Sequence, residues 1–532
     1  MTNNKQQITL VTSLIGAAIV VIAPQPATAI SPETINQTAQ EITVLIDGIN
    51  PGSGVMVSRE GNRYFVLTAG HVVATENEYT IVAPDGQKYY LDYSTVRQLP
   101  GVDLALLQFI SDRDYPVATL ANYNYSTKFR NIFVSGWSSA RGNLTMPTSQ
   151  FSPGLLIRKN FALTHAQDPI SQGYELFYTS KTEIGMSGSP ILDSSGRVIG
   201  IHGQAEGEEI YDEQSGNVLR LKSGFSSGIP VGTFLRLVQQ GGLPLTLRVE
   251  NSLPAQLTPQ EIASIAPAME PPPAKKNWNA IDWANRGNQL YRLERFSEAK
   301  TAFERGIKIK PDFYQAWYGL GQVLYTLGEY EEALNSYDRT LQIKPDLHLA
   351  WRDKGIVLAL AGSPTAAVTA FDRAVKIKQD DYVVWYLRGN LLRKHLQAYQ
   401  EALKSYDRAI KIAPNFAEAW TGKGRALYEV GYYEEALAAF NRANQLNPNL
   451  ASAWHWRGLL LLNWQQPYEA IYSLDKALAI TADNYELWLI KGIALAELGR
   501  YQEAVASANQ ALKLKPNDPE IIDFLNSLAY FN

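Results

Sequence analysis

The chain has two textures of hydrophobic and polar positions. From about residue 38 to residue 245 the apolar residues come in short β-branched runs (EITVLI, GVMVS, YFVLTA, DLALLQF, NIFVSGW, RVIGIH) divided by turn residues. Many short strands at this spacing predict an all-β barrel or sandwich. Beyond residue 280 the period lengthens. Trp283, Trp317, Trp351, Trp385, Trp420, Trp454 and Trp488 recur at steps of 34 or 35 residues, each followed by a glycine four residues on and later by an alanine such as Ala299 or Ala504. So regular a period predicts repeats of two amphipathic helices. One such unit cannot bury its apolar face alone and must stack on its neighbours.

These units resemble the tetratricopeptide repeat, seven of them over residues 280–517, with Asp518–Asn532 as a capping helix. The glycine and alanine positions let helices approach closely, and the tryptophan is expected to fill space between them. Proline closes most units (Pro311, Pro345, Pro414, Pro448, Pro516), as expected where a helix stops, while Gln379 and Ala482 stand in its place in two. The fourth unit has one extra residue in its turn, RKHLQAYQ. Between the halves, residues 249–279 contain MEPPPAKKN and read as a semi-rigid linker. The β half then occupies residues 30–248.

Residues 1–29 carry a different signal. Lys5 precedes an apolar run, Ile8–Ala23, and Ala27 and Ala29 are spaced as an A-x-A cleavage site. This is the layout of a secretory signal peptide. At 16 residues the run is short of the roughly 20 that span a bilayer. The expectation is a mature chain from near Ile30, exported to a periplasm, the cell exterior or an internal lumen. The rival reading is an uncleaved membrane anchor. The chain has no cysteine, so it rests on no disulfide or thiolate metal site. A net charge of −4 gives no footprint for nucleic acid.

The candidate chemistry centres on GMSGSP, Gly185–Pro190, which bends small residues around Ser187. A serine hydroxyl is a weak nucleophile. It needs a histidine to take its proton and a carboxylate to orient that histidine. The β half has three histidines, His71, His165 and His202; His71 lies in LTAGHVV, and Asp103 heads DLALLQF. The segments TAGH, DLALL and GMSGSP, in that order, resemble the chymotrypsin-like serine peptidases over residues 38–245, most of all their cysteine-free bacterial members. The resemblance implies two β-barrels, with Ser187 as nucleophile, His71 as general base and then acid, and Asp103 as its orienting carboxylate. It also implies an oxyanion hole from the N–H groups of Gly185 and Ser187. The bland alternatives are a structural strand-edge histidine and an aspartate that only caps a turn. One departure matters: Met186 stands where animal digestive members have an aspartate that pairs with a new N-terminus, so that activation switch cannot operate.

The same resemblance extends to the substrate pocket. Thr182 and His202 match a threonine and a histidine of staphylococcal-type glutamate-specific endopeptidases, and Lys181 would also favour an acidic P1 residue. The plain reading makes His202 a satisfied strand histidine and Thr182 a pocket wall. The acidic run EGEEIYDEQ reads as a hairpin and lacks the spacing of a calcium loop, so no metal and no cofactor are expected. In the helical half the repeat phase lines a concave groove with Asn288, Tyr318, Gln322, Tyr386, Asn390 and Arg425, a surface suited to a protein or peptide partner. The overall expectation is an exported serine endopeptidase with a recruiting repeat array. The alternative from another class is a repeat scaffold whose protease fold is vestigial.

Overall fold

A computed structural model describes residues 8–11, 18–22, 30–123, 130–138, 147–157, 173–183, 185–204, 208–212, 217–222, 225–243 and 245–529. The chain forms two compact units, Met1–Glu332 and Ala333–Asn532. In the first unit, two short strands, β1 (Ile8–Val11) and β2 (Ala18–Ile22), precede α1 (Pro32–Ile42). The expected cleavage site at Ala27 and Ala29 lies outside the described residues.

Seven antiparallel strands make the first half-barrel: β3 (Thr43–Asp47), β4 (Gly52–Glu60), β5 (Arg63–Ala69), β6 (Thr80–Val82), β7 (Lys88–Tyr90), β8 (Arg97–Gln98) and β9 (Leu104–Ile110), in the order β7-β6-β3-β4-β5-β9-β8. The second is built on β10 (Thr119–Ala121), β11 (Asn131–Ser138), β12 (Thr148–Leu155), β13 (Leu176–Tyr178), β14 (Pro190–Asp193), β15 (Val198–Gln204), β18 (Ser226–Pro230) and β19 (Thr246–Glu250). The acidic run forms part of a separate hairpin, β16 (Glu208–Asp212) with β17 (Asn217–Leu221). β2 runs parallel beside β19.

Strand periodicity explains how one sheet serves two cores. Successive side chains point to opposite faces. Met56, Tyr64, Val66, Ala105 and Leu107 fill the interior of the first half-barrel. Their neighbours Val55, Val57, Phe65, Leu67, Leu104 and Leu106 point the other way. They join a larger core with Ile35 of α1, Leu120, Phe133, Val198, and Phe234 of α2 (Val231–Gly241). These strands are therefore apolar on both faces, which is why they read as continuous rather than alternating runs.

The expected linker is partly folded. Residues 259–269 form α3 (Pro259–Met269), opened by a capping box in which Thr258 and Glu261 satisfy each other's backbone N–H groups. Leu257 and Ile265 are buried in the same core as the strands. The helical half begins with α4 (Ala280–Arg292), α5 (Phe296–Ile309) and α6 (Tyr314–Leu327) in the first unit. The second unit continues from within α7 (Tyr330–Ile343) through α8 (His348–Leu360), α9 (Pro364–Ile377), α10 (Tyr382–His395), α11 (Tyr399–Ile412), α12 (Ala417–Glu429), α13 (Tyr433–Leu446), α14 (Ala451–Asn463), α15 (Pro467–Ile480), α16 (Tyr485–Glu497), α17 (Tyr501–Leu514) and the capping α18 (Pro519–Leu528). The repeat tryptophans do more than fill space: from Trp317 on, each indole N–H donates to the carbonyl six residues back. A backbone carbonyl accepts this bond whatever its side chain. Gln379 and Ala482 therefore replace proline in that role without loss, at 3.0 and 2.9 Å.

Candidate active site

β5 ends at Ala69, and the chain turns through a short 3-10 segment, Gly70–Val73, that presents His71 with its side chain 46% exposed. Asp103 stands just before β9, whose Leu104 pairs with Ala69. The ladder therefore sets the two side chains opposite each other. His71 Nδ1 lies 2.6 Å from Asp103 Oδ2, and the His71 backbone N–H donates to Oδ1 at 2.7 Å. Gly70 is required between them, because a Cβ there would lie 2.9 Å from Asp103 Oδ1 and 2.7 Å from Gln98 Oε1.

A third donor was not read from the sequence. The hydroxyl of Tyr174, itself 2% exposed, donates to Asp103 Oδ2. Gly203 makes room for it, since a Cβ at that position would sit 2.2 Å from the Tyr174 ring and hydroxyl. Burial pushes the Asp103 carboxyl up, but the bonds from His71 and Tyr174 outweigh it and hold the pKa below its ordinary value. Burial and then the adjacent carboxylate push the Tyr174 phenol up, so it stays a donor. Tyr174 thus positions Asp103. A bond to a charged group is worth about 1.5–3 kcal/mol, so Tyr174→Phe is expected to lower kcat roughly tenfold with KM little changed. An unchanged kcat would remove Tyr174 from this role.

Ser187 sits on a loop shaped by two glycines with positive φ, Gly185 at 97° and Gly188 at 89°. A Cβ on Gly188 would strike the Ser53 carbonyl oxygen at 1.9 Å. The loop is tied down on both sides: Ser53 N–H donates to the Ser187 carbonyl at 2.7 Å, and Gly188 N–H to the His202 carbonyl at 2.7 Å. Met186 is fully buried in the core of the second half-barrel. An apolar side chain therefore occupies the place where an activating aspartate would stand. Ser187 Oγ donates to the Gly203 carbonyl at 3.1 Å, and no hydrogen bond joins it to His71. Among the described residues the N–H groups of Gly185 and Ser187 donate to no protein acceptor.

Thr182 Oγ1 lies 2.6 Å from Ser226 Oγ, and Ser226 faces Tyr178 across the β13–β18 ladder. His202, opposite Gly228 on the same sheet, is fully buried; its Nδ1 lies 2.6 Å from the Tyr178 hydroxyl, and its Nε2 has no partner. Burial lowers the His202 pKa to about 3, against a weaker pull upward from the Ser227 backbone. Between pH 6.5 and about 3 the unfolded chain therefore binds a proton that the native chain refuses. Stability is expected to fall with acidification across that window by up to about 1.4 kcal/mol per pH unit from this group. Melting temperatures of wild type and His202→Gln between pH 7 and 4 check this (the variant's slope flattens). Equal slopes would contradict it.

Lys181, expected in the pocket, is tied to α3. Its ammonium donates to the carbonyls of Ala268 and Glu270 at 2.7 and 2.9 Å, capping the C-terminal end of α3. The repeat residues singled out from the sequence have partners within the chain. Asn288 donates to the Lys222 carbonyl at 2.7 Å, which ties α4 to the residue just after β17. Gln322 is buried at 5% exposure, while Tyr318 is half-buried. In the second unit, Asn390 accepts from the Tyr406 hydroxyl at 2.8 Å, Tyr386 packs edge-on to Phe416, and Arg425 lies over Trp456.

Residues 52–201 match the family model of the trypsin-like peptidase domain. Residues 285–348, 392–431, 424–463 and 485–518 match models of the tetratricopeptide repeat. The chain carries a trypsin-like peptidase domain followed by tetratricopeptide repeats. The peptidase model spans His71, Asp103 and Ser187 as well as His202's neighbour Ile201, and ends before β18. Among solved structures the chain is similar to YrrB, described as a TPR protein with an unusual peptide-binding site, at 25% identity over 38% of this chain and 99% of that one, with a TM-score of 0.31. It is also similar to a tetratricopeptide repeat protein from Parabacteroides merdae, at 17% identity over 47% and 98%, TM-score 0.39. A third is PilW, a type IV pilus biogenesis factor, at 20% identity over 40% and 98%, TM-score 0.37. No curated protein matches the chain.

Proposed function

We propose that the chain is an exported serine endopeptidase in which Ser187, His71 and Asp103 act as a triad and the repeats recruit a protein or peptide. The observation that carries this reading is the carboxylate–imidazole pair at 2.6 Å beside a serine on a glycine-shaped loop. A change of the Ser187 rotamer from the Gly203 carbonyl to His71 Nε2 starts the reaction. The imidazole takes the hydroxyl proton as Oγ attacks the substrate carbonyl carbon. The N–H groups of Gly185 and Ser187, which have no acceptor among the described residues, are free to receive the oxyanion. Collapse of this intermediate breaks the peptide C–N bond, and His71 gives the proton to the leaving amine. Water, activated by the same imidazole, then releases the acyl group. Asp103 keeps the imidazole oriented throughout and stays ionised.

The P1 preference follows from His202. With Nδ1 against Tyr178, Nε2 is the ring atom left for a ligand. Carrying the ring proton, it donates to a glutamate carboxylate. Peptides with Glu, Gln or Lys at P1 test the proposal, compared by kcat/KM in wild type and Ser187→Ala. The expected order is Glu first, with no cleavage in the variant. Faster cleavage after Lys or Gln would reject the glutamate pocket, and cleavage by the variant would reject the serine mechanism. Export rests on the leader alone, and the N-terminal residue of the protein recovered from its source cells tests it.

A further inference from the structure

The first repeat lies in the same compact unit as the peptidase, and one face of α4 meets it. Asn285 and Asn288, three residues apart, stand on one side of that helix. Together they take both backbone groups of a single residue. Lys222 N–H donates to Asn285 Oδ1 at 2.6 Å, and Asn288 Nδ2 donates to the Lys222 carbonyl at 2.7 Å. One turn further on, the Arg292 guanidinium lies 4.5 Å from the Phe225 ring. A neighbouring strand would satisfy these backbone groups in the same way. In an extended segment a slip of one residue turns such groups to the other side, so the paired bonds allow one register.

The clamped segment leads into β18 and is anchored apart from the two large cores. Phe225, Phe177 and Ile157 form a small cluster of their own, in which Phe225 meets Phe177 edge-on at 5.8 Å. Ser226 follows directly and is buried, with its Oγ 2.6 Å from Thr182 Oγ1 and 3.4 Å from the Ser180 carbonyl. It also faces Tyr178 across the ladder, and the Tyr178 hydroxyl meets His202 Nδ1. Thr182 is held from its other side too. Lys181 donates to the Ala268 and Glu270 carbonyls, and the Glu270 carboxylate pairs at 2.6 Å with Arg295, the residue just before α5. The first repeat therefore reaches the Thr182–Ser226 pair by two routes. Each hydroxyl has one proton. Where Ser226 sits between Thr182 and the Ser180 carbonyl decides which of the two has a proton left for a substrate.

We propose that Asn285 and Asn288 are positioning residues for the P1 pocket, which rests on reading Thr182 and His202 as that pocket. By clamping Lys222 they set Ser226 against Thr182, so the first repeat takes part in choosing the substrate residue. The amides act through Lys222, Phe225 and Ser226 and not on the substrate itself. Apolar packing alone would hold α4 to the peptidase without fixing a register. Two bonds of opposite sense to one residue fix it.

The test uses the full chain and a peptide series that differs only at P1. kcat and KM are measured for Asn285→Ala, Asn285→Asp, Asn288→Ala and Asn288→Asp beside wild type, with fluorophosphonate labelling and thermal melts of each. The readout is the ratio of kcat/KM between the best and the worst P1 residue of the wild type, whichever these prove to be. It is expected to fall at least about fivefold in Asn285→Ala, Asn288→Ala and Asn288→Asp, through KM more than kcat. Asn285→Asp is the conservative variant and is expected to keep the ratio. A carboxylate at position 285 still accepts from the Lys222 N–H, whereas one at position 288 has no proton for the Lys222 carbonyl. An unchanged ratio in the alanine variants would overturn the clamp while leaving the peptidase standing. An equal loss in both aspartate variants would trace the effect to added charge and overturn it too. A loss that follows a lower melting temperature in all four variants would make the amides structural only. A wild-type chain that neither labels nor cleaves would overturn the peptidase reading and the clamp together.

Discussion

Ser187→Ala and His71→Ala are each expected to lower kcat by roughly 10⁴- to 10⁶-fold while leaving the melting temperature nearly unchanged. Ser187 Oγ makes one hydrogen bond, to the Gly203 carbonyl, and the His71 side chain is 46% exposed, so neither truncation removes much packing. Asp103→Asn is expected to cost about 10⁴ in kcat for a different reason. The Asp103 carboxylate accepts from the His71 backbone, the His71 ring and the Tyr174 hydroxyl. An amide presents N–H groups where only acceptors fit, so the imidazole loses its orienting partner. A p-nitroanilide assay alongside thermal melts checks all three. Activity within tenfold of wild type in either alanine variant would contradict the assigned roles.

The second large effect concerns where the peptidase ends. Cutting the chain after residue 249, at the boundary that composition suggests, is expected to give a protein that unfolds or aggregates, whereas residues 30–332 melt cooperatively. Leu257 and Ile265 belong to the core shared with Val55, Leu67 and Phe133. Losing the burial of two such side chains costs roughly 3–6 kcal/mol, a large share of a total stability of about 5–15 kcal/mol. The same cut frees the Lys181 ammonium from its two carbonyls, five residues before Met186. Beyond α3, Asn285 accepts from the Lys222 backbone N–H at 2.6 Å, and the Arg292 guanidinium lies 4.5 Å from the Phe225 ring. The first repeat thus holds Lys222, just after β17, and Phe225, just before β18. Differential scanning calorimetry of the two fragments decides it. A cooperative melt of residues 30–249 close to that of residues 30–332 would contradict the boundary.

Much of this architecture was legible where the information is local. The tryptophan period needs only one unit to be read, and the strands carry their runs of Val, Leu and Phe in sequence. His71, Asp103 and Ser187 each sit in a short segment whose glycines answer a local steric demand, as Gly70 and Gly188 show. The Thr258–Glu261 capping box was equally local and readable in TPQE, but the prolines that follow it dominated the composition. What escaped was tertiary. Tyr174 reaches Asp103 across a gap of 71 residues, and its only trace is a glycine at position 203. Lys181 reads as a pocket charge beside Thr182, and only the fold brings α3 to accept its protons. Asn288 has the right repeat phase for a groove, and that phase carries no sign of its bond to Lys222.

The central claim is that Ser187 is an activated nucleophile. A fluorescent fluorophosphonate reacts with such a serine and not with an ordinary hydroxyl. Residues 30–532 are expected to label, and the label is expected to be lost in both Ser187→Ala and His71→Ala. No label on the wild-type chain, or a label that survives Ser187→Ala, would contradict the account.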